Sequence, residues 1–360
     1  MSYFIRDTGS KLTPLQHSYE IFKQYILNNY FSTLTGRRGS GSPIIIDDAL
    51  FKGKGAGDVG RYHFIPQYKG EGIEGQNPSI TGNEKSLDEF YMDFRVDQIA
   101  QAFSKKGKMT DLRTIWNFRE EFKNQLAEWF RDRTESDLVD ALTGYITDGV
   151  SRQTDTTKLI NGEGRCFRID KDGEAFKLVK TSPADASDTK LLTAIAATDR
   201  MNTYALDELQ SLAKTAGKYP IKPVRAKNNE EYYILVLHPQ AAIDLRRDER
   251  WERRAIASMT GKGSLESDPI ATGAIGIWGH IIVKEAEKVR AVSKDGKTVA
   301  RNLLLGADAA VLAYAQTLDY KEETRDYGRV MGVAADEIRG CRKLVFDDCD
   351  MNVAQVPCFI

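Results

Sequence analysis

From Val59 to Tyr68 apolar and polar residues alternate through Tyr62, Phe64 and Pro66, and from Leu87 to Val96 they alternate again through Phe90, Met92, Phe94 and Val96. A period of two is that of a half-buried strand, so the two segments are expected to pair as a hairpin. The stretch between them, KGEGIEGQNPSITGNEKS, has no period of its own. Connections that long within a domain are usually functional or disordered, and this one is expected to protrude.

The period then becomes helical. Leu112, Ile115, Phe118, Phe122, Leu126, Trp129 or Phe130, Arg133, Leu138 and Leu142 recur at steps of three and four until Gly144, with Thr110 or Asp111 as the cap. Roughly 34 residues at ~1.5 Å each make a rod of roughly 50 Å. Thr134 and Ser136, in RTESD, favour caps over helix interiors, so a kink or restart is expected there. Arg119, Glu120, Lys123 and Asp132 are expected to form the solvated face. A shorter helix is predicted near the N-terminus, capped by Thr13 with Pro14 at its first position and striped by Leu15, Tyr19, Phe22, Ile26 and Tyr30. That stripe serves either core packing or docking on a neighbouring subunit.

Beyond Gly144 the chain turns polar, and GRCFRIDKDGEAFKLVK predicts a hairpin turning at Asp172-Gly173, with Phe167, Ile169, Phe176 and Leu178 on one face. TSPADASDTK reads as a linker, which places a boundary near residue 190. An α/β pattern follows: a helix from Thr198 to Ala216, a strand after Pro223, the buried-looking strand EEYYILVL, and a helix that Pro239 starts and that runs through Leu245. DPIATGAIGIWGHIIVKEAEKV predicts a glycine-rich turn and one strand. From Arg301 the pattern predicts a strand, a short helix, then paired strands reaching MNVAQVP. These need a partner, and the long helix has the largest unmatched apolar face. One lobe is therefore expected from the long helix and the late strands, with residues 191–300 inserted as another.

Composition narrows the function classes. The hydrophobic fraction of 41% supports folded cores, and 51 basic residues against 52 acidic ones exclude a dedicated nucleic-acid binder. The N-terminal segment alone is mildly basic, with Arg6, Lys11, Lys23, Arg37 and Arg38 against Asp7 and Glu20. The sequence shows no export signal and no run of ~20 apolar residues, so no membrane contact is expected. Cys166, Cys341, Cys349 and Cys358 include no C-x-x-C pair, fit no zinc pattern and read as reduced thiols.

Candidate chemistry fails on context. Gly53, Gly55, Gly57 and Gly60 lack the phosphate-loop spacing and lead into a strand rather than a helix, so they read as a hinge at the base of the hairpin. His17, His63, His238 and His280 lie in no nucleophile motif, and G-x-S-x-G is absent. The carboxylate pairs Asp47-Asp48, Glu120-Glu121 and Asp347-Asp348 are adjacent in sequence and point apart on a helix or strand. Catalysis, cofactor and metal are not expected.

The ordered set of elements, with the segments LAEWFRDRTESDLVDALTG, YYILVLHPQAAIDLRRD, DPIATGAIGIWGHIIVKE, LLLGADAAVLAYA and DYGRVMGVAADEIRGCRKLVF, resembles the major capsid proteins of tailed phages with the Hong Kong 97-type fold. The similarity is strongest to those of podophages that package a giant RNA polymerase in the virion. The resemblance implies an α+β fold with an N-terminal arm (1–42), an extended E-loop hairpin (43–103), a peripheral lobe with a spine helix (104–190 and 301–360) and an axial α/β lobe (191–300). It implies a virion shell subunit, assembled in the host bacterial cytoplasm into hexamers and pentamers around packaged double-stranded DNA. The shortness of segment 1–42 implies a separate scaffolding protein; a portal protein and a decoration protein are further expected partners. Arg61, Lys69, Glu71, Glu74, Glu84 and Lys85 become candidates for inter-subunit ion pairs, with plain solvated charge as the other reading. A second reading of the whole chain is an internal, DNA-lining virion protein whose phosphate contacts would be weak and salt-sensitive.

Overall fold

The computed structural model describes residues 12–47, 59–64, 90–106, 118–144, 165–172, 175–181, 188–215, 220–226, 230–253, 273–294, 296–327, 330–346 and 349–360. A five-stranded sheet has the order β1 (Thr35–Arg37), β2 (Ile44–Asp47), β14 (Ala310–Arg325), β15 (Val330–Lys343), β5 (Asp97–Lys106). A nine-stranded sheet has the order β10 (Ala274–Trp278), β11 (Ile281–Glu285), β9 (Glu231–Leu237), β13 (Lys297–Leu305), β18 (Val353–Phe359), β6 (Cys166–Asp172), β7 (Ala175–Thr181), with β12 (Ala291–Lys294) beside β13 and β8 (Val224–Arg225) beside β9. Two small ribbons pair β3 (Val59–Phe64) with β4 (Phe90–Arg95), and β16 (Val345–Phe346) with β17 (Cys349–Asp350). The helices are α1 (Leu12–Asn28), α2 (Phe118–Thr143), α3 (Asp188–Ala194), α4 (Thr203–Thr215) and α5 (Pro239–Arg246).

The nine-stranded sheet is buried on both faces at its centre, which explains the unbroken apolar run of β9. On one face Leu235, Leu237, Ile281, Val283 and Leu304 pack against Leu206 and Leu209 of α4 and Ala241, Ala242 and Leu245 of α5. On the other, Ile234, Val236, Leu303 and Leu305 meet Leu138, Val139, Ala141 and Leu142 of α2. The N-terminal half of α2 leaves that sheet for the five-stranded one. There Leu126, Ala127 and Phe130, with Ile21 and Tyr25 of α1, cover Ile99, Leu318, Tyr320, Val333 and Ala335. A single helix therefore joins the two sheets.

Local chemistry sets several boundaries where the sequence placed them. Gly144 takes the left-handed φ of 65° that ends α2, and the His238 ring accepts a hydrogen bond from the Gln240 backbone N–H (3.2 Å) ahead of Pro239. Glu120 and Glu121 in the first turn of α2 face the positive end of its dipole. β6 and β7 pair with Ile169 opposite Leu178, and Asp172 opposite Ala175 is the last pair before residues 173 and 174.

Five expectations are corrected. The short helix after Leu305 is instead the long strand β14, because Ala310 to Ala313 lie between β2 and β15 and are buried on both faces, so sheet pairing overrides alanine's helix preference. RTESD neither kinks nor restarts α2: the Thr134 and Ser136 hydroxyls donate to the carbonyls of Phe130 (2.7 Å) and Asp132 (2.8 Å), which lets both sit inside the helix. Of the expected stripe only Tyr19 is exposed among the described side chains, while Phe22, Ile26 and Tyr30 pack at the margin of the core beside the buried Ser18, Ile21 and Tyr25, all within one chain. Arg119 and Lys123 are not free solvated charges, since they pair with Glu322 and Glu20. Finally, the segment around DPIATG ends in two strands, β10 and β11, rather than one. The nine-stranded sheet draws its strands from both sides of residues 190 and 300. β18 fills the centre of the nine-stranded sheet between β13 and β6, so the C-terminal strand belongs there.

Candidate assembly surfaces

The β3–β4 ribbon is the described part of the long-loop hairpin, and the alternation read in its sequence is its geometry. Tyr62 stands directly opposite Met92, and both point inward against Ile45, Val311, Ala313, Leu344 and Met351. Val59, Arg61, His63 and Tyr91 point out. Arg61 faces Asp93 across the ribbon and binds it twice, Nε to Oδ1 at 2.7 Å and Nη2 to Oδ2 at 3.0 Å, while its guanidinium lies 4.3 Å from the centre of the Tyr91 ring. The Arg61 hydrogen bonds hold the Asp93 carboxyl below the usual carboxylate range.

Two further arginines clamp the foot of this ribbon. Arg38 donates to the His63 carbonyl (2.7 Å) and lies 4.7 Å from the centre of the Tyr62 ring, and Arg342 donates to the Asp93 carbonyl. Arg38, expected among the basic residues of an N-terminal arm, is thus engaged within the subunit. Of the six candidate ion-pair residues, Arg61 has its partner in its own hairpin; Lys69, Glu71, Glu74, Glu84 and Lys85 lie outside the described residues, as do the glycines from Gly53 to Gly57.

A second surface, the exposed turn end of β14 and β15, was not foreseen. β14 and β15 pair from Ala310↔Lys343 out to Arg325↔Val330, whereas β2 accompanies β14 only as far as Ala313. At the tip Asp326 and Tyr327 both adopt left-handed backbone angles (φ 52° and 49°), and Tyr327 is fully exposed. Side-chain-bearing residues hold such angles at a cost of order 1 kcal/mol each or more. The signal available was DYG between two strand-like runs. Below the tip Lys321 pairs with Asp319 (3.0 Å) and Arg325 with Glu323 (2.6 Å), so this surface carries both signs of charge.

A third surface is the outer edge of β5, which ends the five-stranded sheet and exposes Gln98, Ala100, Ala102 and Ser104 on one face. An edge strand presents backbone donors and acceptors that another chain can pair with. Contact between subunits is what these features can perform chemically.

Groups that could carry covalent chemistry are placed elsewhere. Burial pushes the thiols of Cys166 up to about 11 and those of Cys341 and Cys358 up to about 12, which leaves them unreactive. His238 caps α5, and burial lowers its pKa; His63 and His280 are exposed, and the His17 side chain lies outside the described residues. Among the described residues no three His, Cys, Asp or Glu side chains gather as a metal site, and no helix is long and apolar enough to cross a membrane.

The profile of a family described as phage capsid protein matches residues 18–353. The chain is 28% identical over 306 residues to the major capsid protein of Pseudomonas phage KPP25, covering 78% of this chain and 76% of that one. Its fold is similar to the capsid of Ralstonia phage GP4, with a TM-score of 0.73 at 21% identity over 92% of this chain and 91% of that one. It is also similar to the cyanophage Pam1 capsid, with a TM-score of 0.69 at 19% identity over 93% of each chain.

Proposed function

The chain belongs to the phage capsid protein family, and from that premise we propose that it is the major capsid protein of a bacteriophage, the structural subunit whose copies form the icosahedral shell of the virion. It is a structural protein and not an enzyme. The observation that carries the reading is the breadth of the match: a capsid family profile spans nearly the whole chain, and capsid structures cover both of its sheets.

In this reading the β3–β4 ribbon is the base of an E-loop that lies over an adjacent subunit, with Lys69, Glu71, Glu74, Glu84 and Lys85 available for inter-subunit ion pairs. Arg61 stiffens that base instead. α2 is the spine. The lobes follow the sheets: the five-stranded sheet with α1 and α2 forms the peripheral lobe, and the nine-stranded sheet, including 166–181 and 353–359, forms the axial lobe. Subunits assemble as hexamers and pentamers in the host cytoplasm with a separate scaffolding protein, joined by a portal and a decoration protein, around double-stranded DNA held nonspecifically. The segments from LAEWFRDRTESDLVDALTG to DYGRVMGVAADEIRGCRKLVF support a place among the capsids of podophages that carry a giant virion RNA polymerase. The overall charge balance and the engagement of Arg38 weigh against the DNA-lining alternative.

Negative-stain electron microscopy of the protein purified after expression with a scaffolding protein tests the reading. Rings or closed shells are expected, and a persistent monodisperse monomer contradicts it.

A further inference from the structure

The apolar packing along α2 is interrupted by a layer of charge. Leu126, Ala127 and Phe130 belong to the cluster on the five-stranded sheet, and Leu138, Val139, Ala141 and Leu142 to the cluster on the nine-stranded sheet. Between them Asp137 reaches Arg339 of β15 (Oδ2 to Nη2, 2.7 Å) and Arg133 of its own helix (Oδ1 to Nε, 3.1 Å). Arg339 in turn donates from Nε to Glu337 Oε1 (2.6 Å), and neither residue has any exposed surface. The other oxygen of Glu337 lies 3.0 Å from the Tyr25 hydroxyl of α1, which lies 3.0 Å from the Tyr314 hydroxyl of β14. Six side chains from α1, α2, β14 and β15 thus form one chain, buried at Arg339, Glu337, Tyr25 and Tyr314 and partly buried at Asp137 and Arg133. The pairing of β14 with β15 becomes irregular at the same level, between Tyr314 and Asp319.

The large apolar side chains of α2 alone do not decide where it sits along the sheets. Leu126, Phe130, Leu138 and Leu142 recur at multiples of four, with Thr134 at the missing step. A slide of one turn brings Phe122, Leu126 and Leu138 onto the places of Leu126, Phe130 and Leu142, so these large side chains tolerate it, while Lys123, Glu135 and Asp137 move onto the places of Ala127, Val139 and Ala141. The charged layer has no such repeat, since Asp137 has one cation across the interface and Glu337 one tyrosine. Buried ionic groups add little net stability over apolar residues of the same volume, and their best-attested use is to fix a register. We infer that the Arg133–Asp137–Arg339–Glu337–Tyr25–Tyr314 chain is a register lock, holding the spine helix and the N-terminal helix at one position along the long hairpin.

The lock is tested on the isolated subunit, so the outcome is separate from whether shells form. Nitroxide labels at Glu128→Cys on the exposed face of α2 and Gln98→Cys on β5 report the position of the helix along the sheet. The parent protein gives one narrow distance. Replacing the layer by apolar residues (Asp137→Leu, Glu337→Leu, Arg339→Met) is expected to keep the midpoint of thermal unfolding at or above the parent value while adding a second population displaced by about one turn, ~5 Å. A second variant, Asp137→Asn, keeps the shape and removes the charge that crosses from helix to strand, and it is expected to broaden the distribution. A single narrow distance at the parent value in the triple variant, or in Asp137→Asn if the triple variant does not fold, overturns the inference.

Discussion

The two sheets solve different problems with the same helix. The nine-stranded sheet is largely apolar on both faces at its centre, with Lys284, Arg301, Asn302 and Gln355 among its buried polar side chains, and it is packed between α4 and α5 on one side and half of α2 on the other. Among the described residues the five-stranded sheet carries helices on one face only, holds a fully buried Glu337–Arg339 pair, and bears the exposed tip at Tyr327, the end strand β5 and the clamped β3–β4 ribbon. One is built to hold a single packing. The other spends burial on position and leaves its periphery free for contact.

Breaking that contrast begins where the effect is largest. Arg339→Met leaves the fully buried Glu337 without its cation and is expected to cost about 4 kcal/mol. In urea the spectroscopic signal of the five-stranded region should be lost ahead of the rest, and one coincident transition with an unchanged midpoint would contradict the contrast. Leu235→Ala, at the centre of the nine-stranded core, is expected to cost about 3 kcal/mol in a single cooperative transition. Tyr62→Ala acts on a small cluster at the edge and is expected to cost about 2 kcal/mol. Its distinguishing effect is faster limited proteolysis between residues 64 and 90, with the sheets still intact.

A titration sharpens the comparison. Lys284 is buried on β11, with the Thr33 hydroxyl 3.1 Å away, and desolvation lowers its pKa to about 8. Its folded pKa lies below its unfolded value near 10.5, so the unfolded chain binds more protons between about pH 8 and 10.5, and stability from this group rises with pH across that window. Lys284→Met should be more stable than the parent at pH 7, and the advantage should shrink between pH 8 and 9.5. A constant difference across that range would remove Lys284 as the cause. The smallest effect is expected at Arg61→Ala, whose half-exposed pair with Asp93 should leave the thermal midpoint nearly unchanged in a scanning calorimeter.

Legibility in the sequence followed how local each determinant is. Tyr62 and Met92 were readable because Arg61 and Asp93 mark the opposite face, and the ends at Gly144 and His238-Pro239 were readable because one residue sets each. The start of β14 reads as a short helix, since Ala310 and Ala313 favour helices until two strands flank them. Glu337 and Arg339 sit at alternate positions of β15 and look like its solvent face; only α1 and α2, both far away in sequence, bury them. The Arg61–Asp93 pair spans the whole loop, so its two charges were visible but their pairing was not.

The central claim is that this subunit is made for contact with copies of itself. Cryo-electron microscopy of the purified protein, alone and after co-expression with a scaffolding protein, tests it most directly. The account predicts rings or closed shells in which the β3–β4 ribbon lies over an adjacent subunit. Monodisperse monomers under both conditions would contradict it.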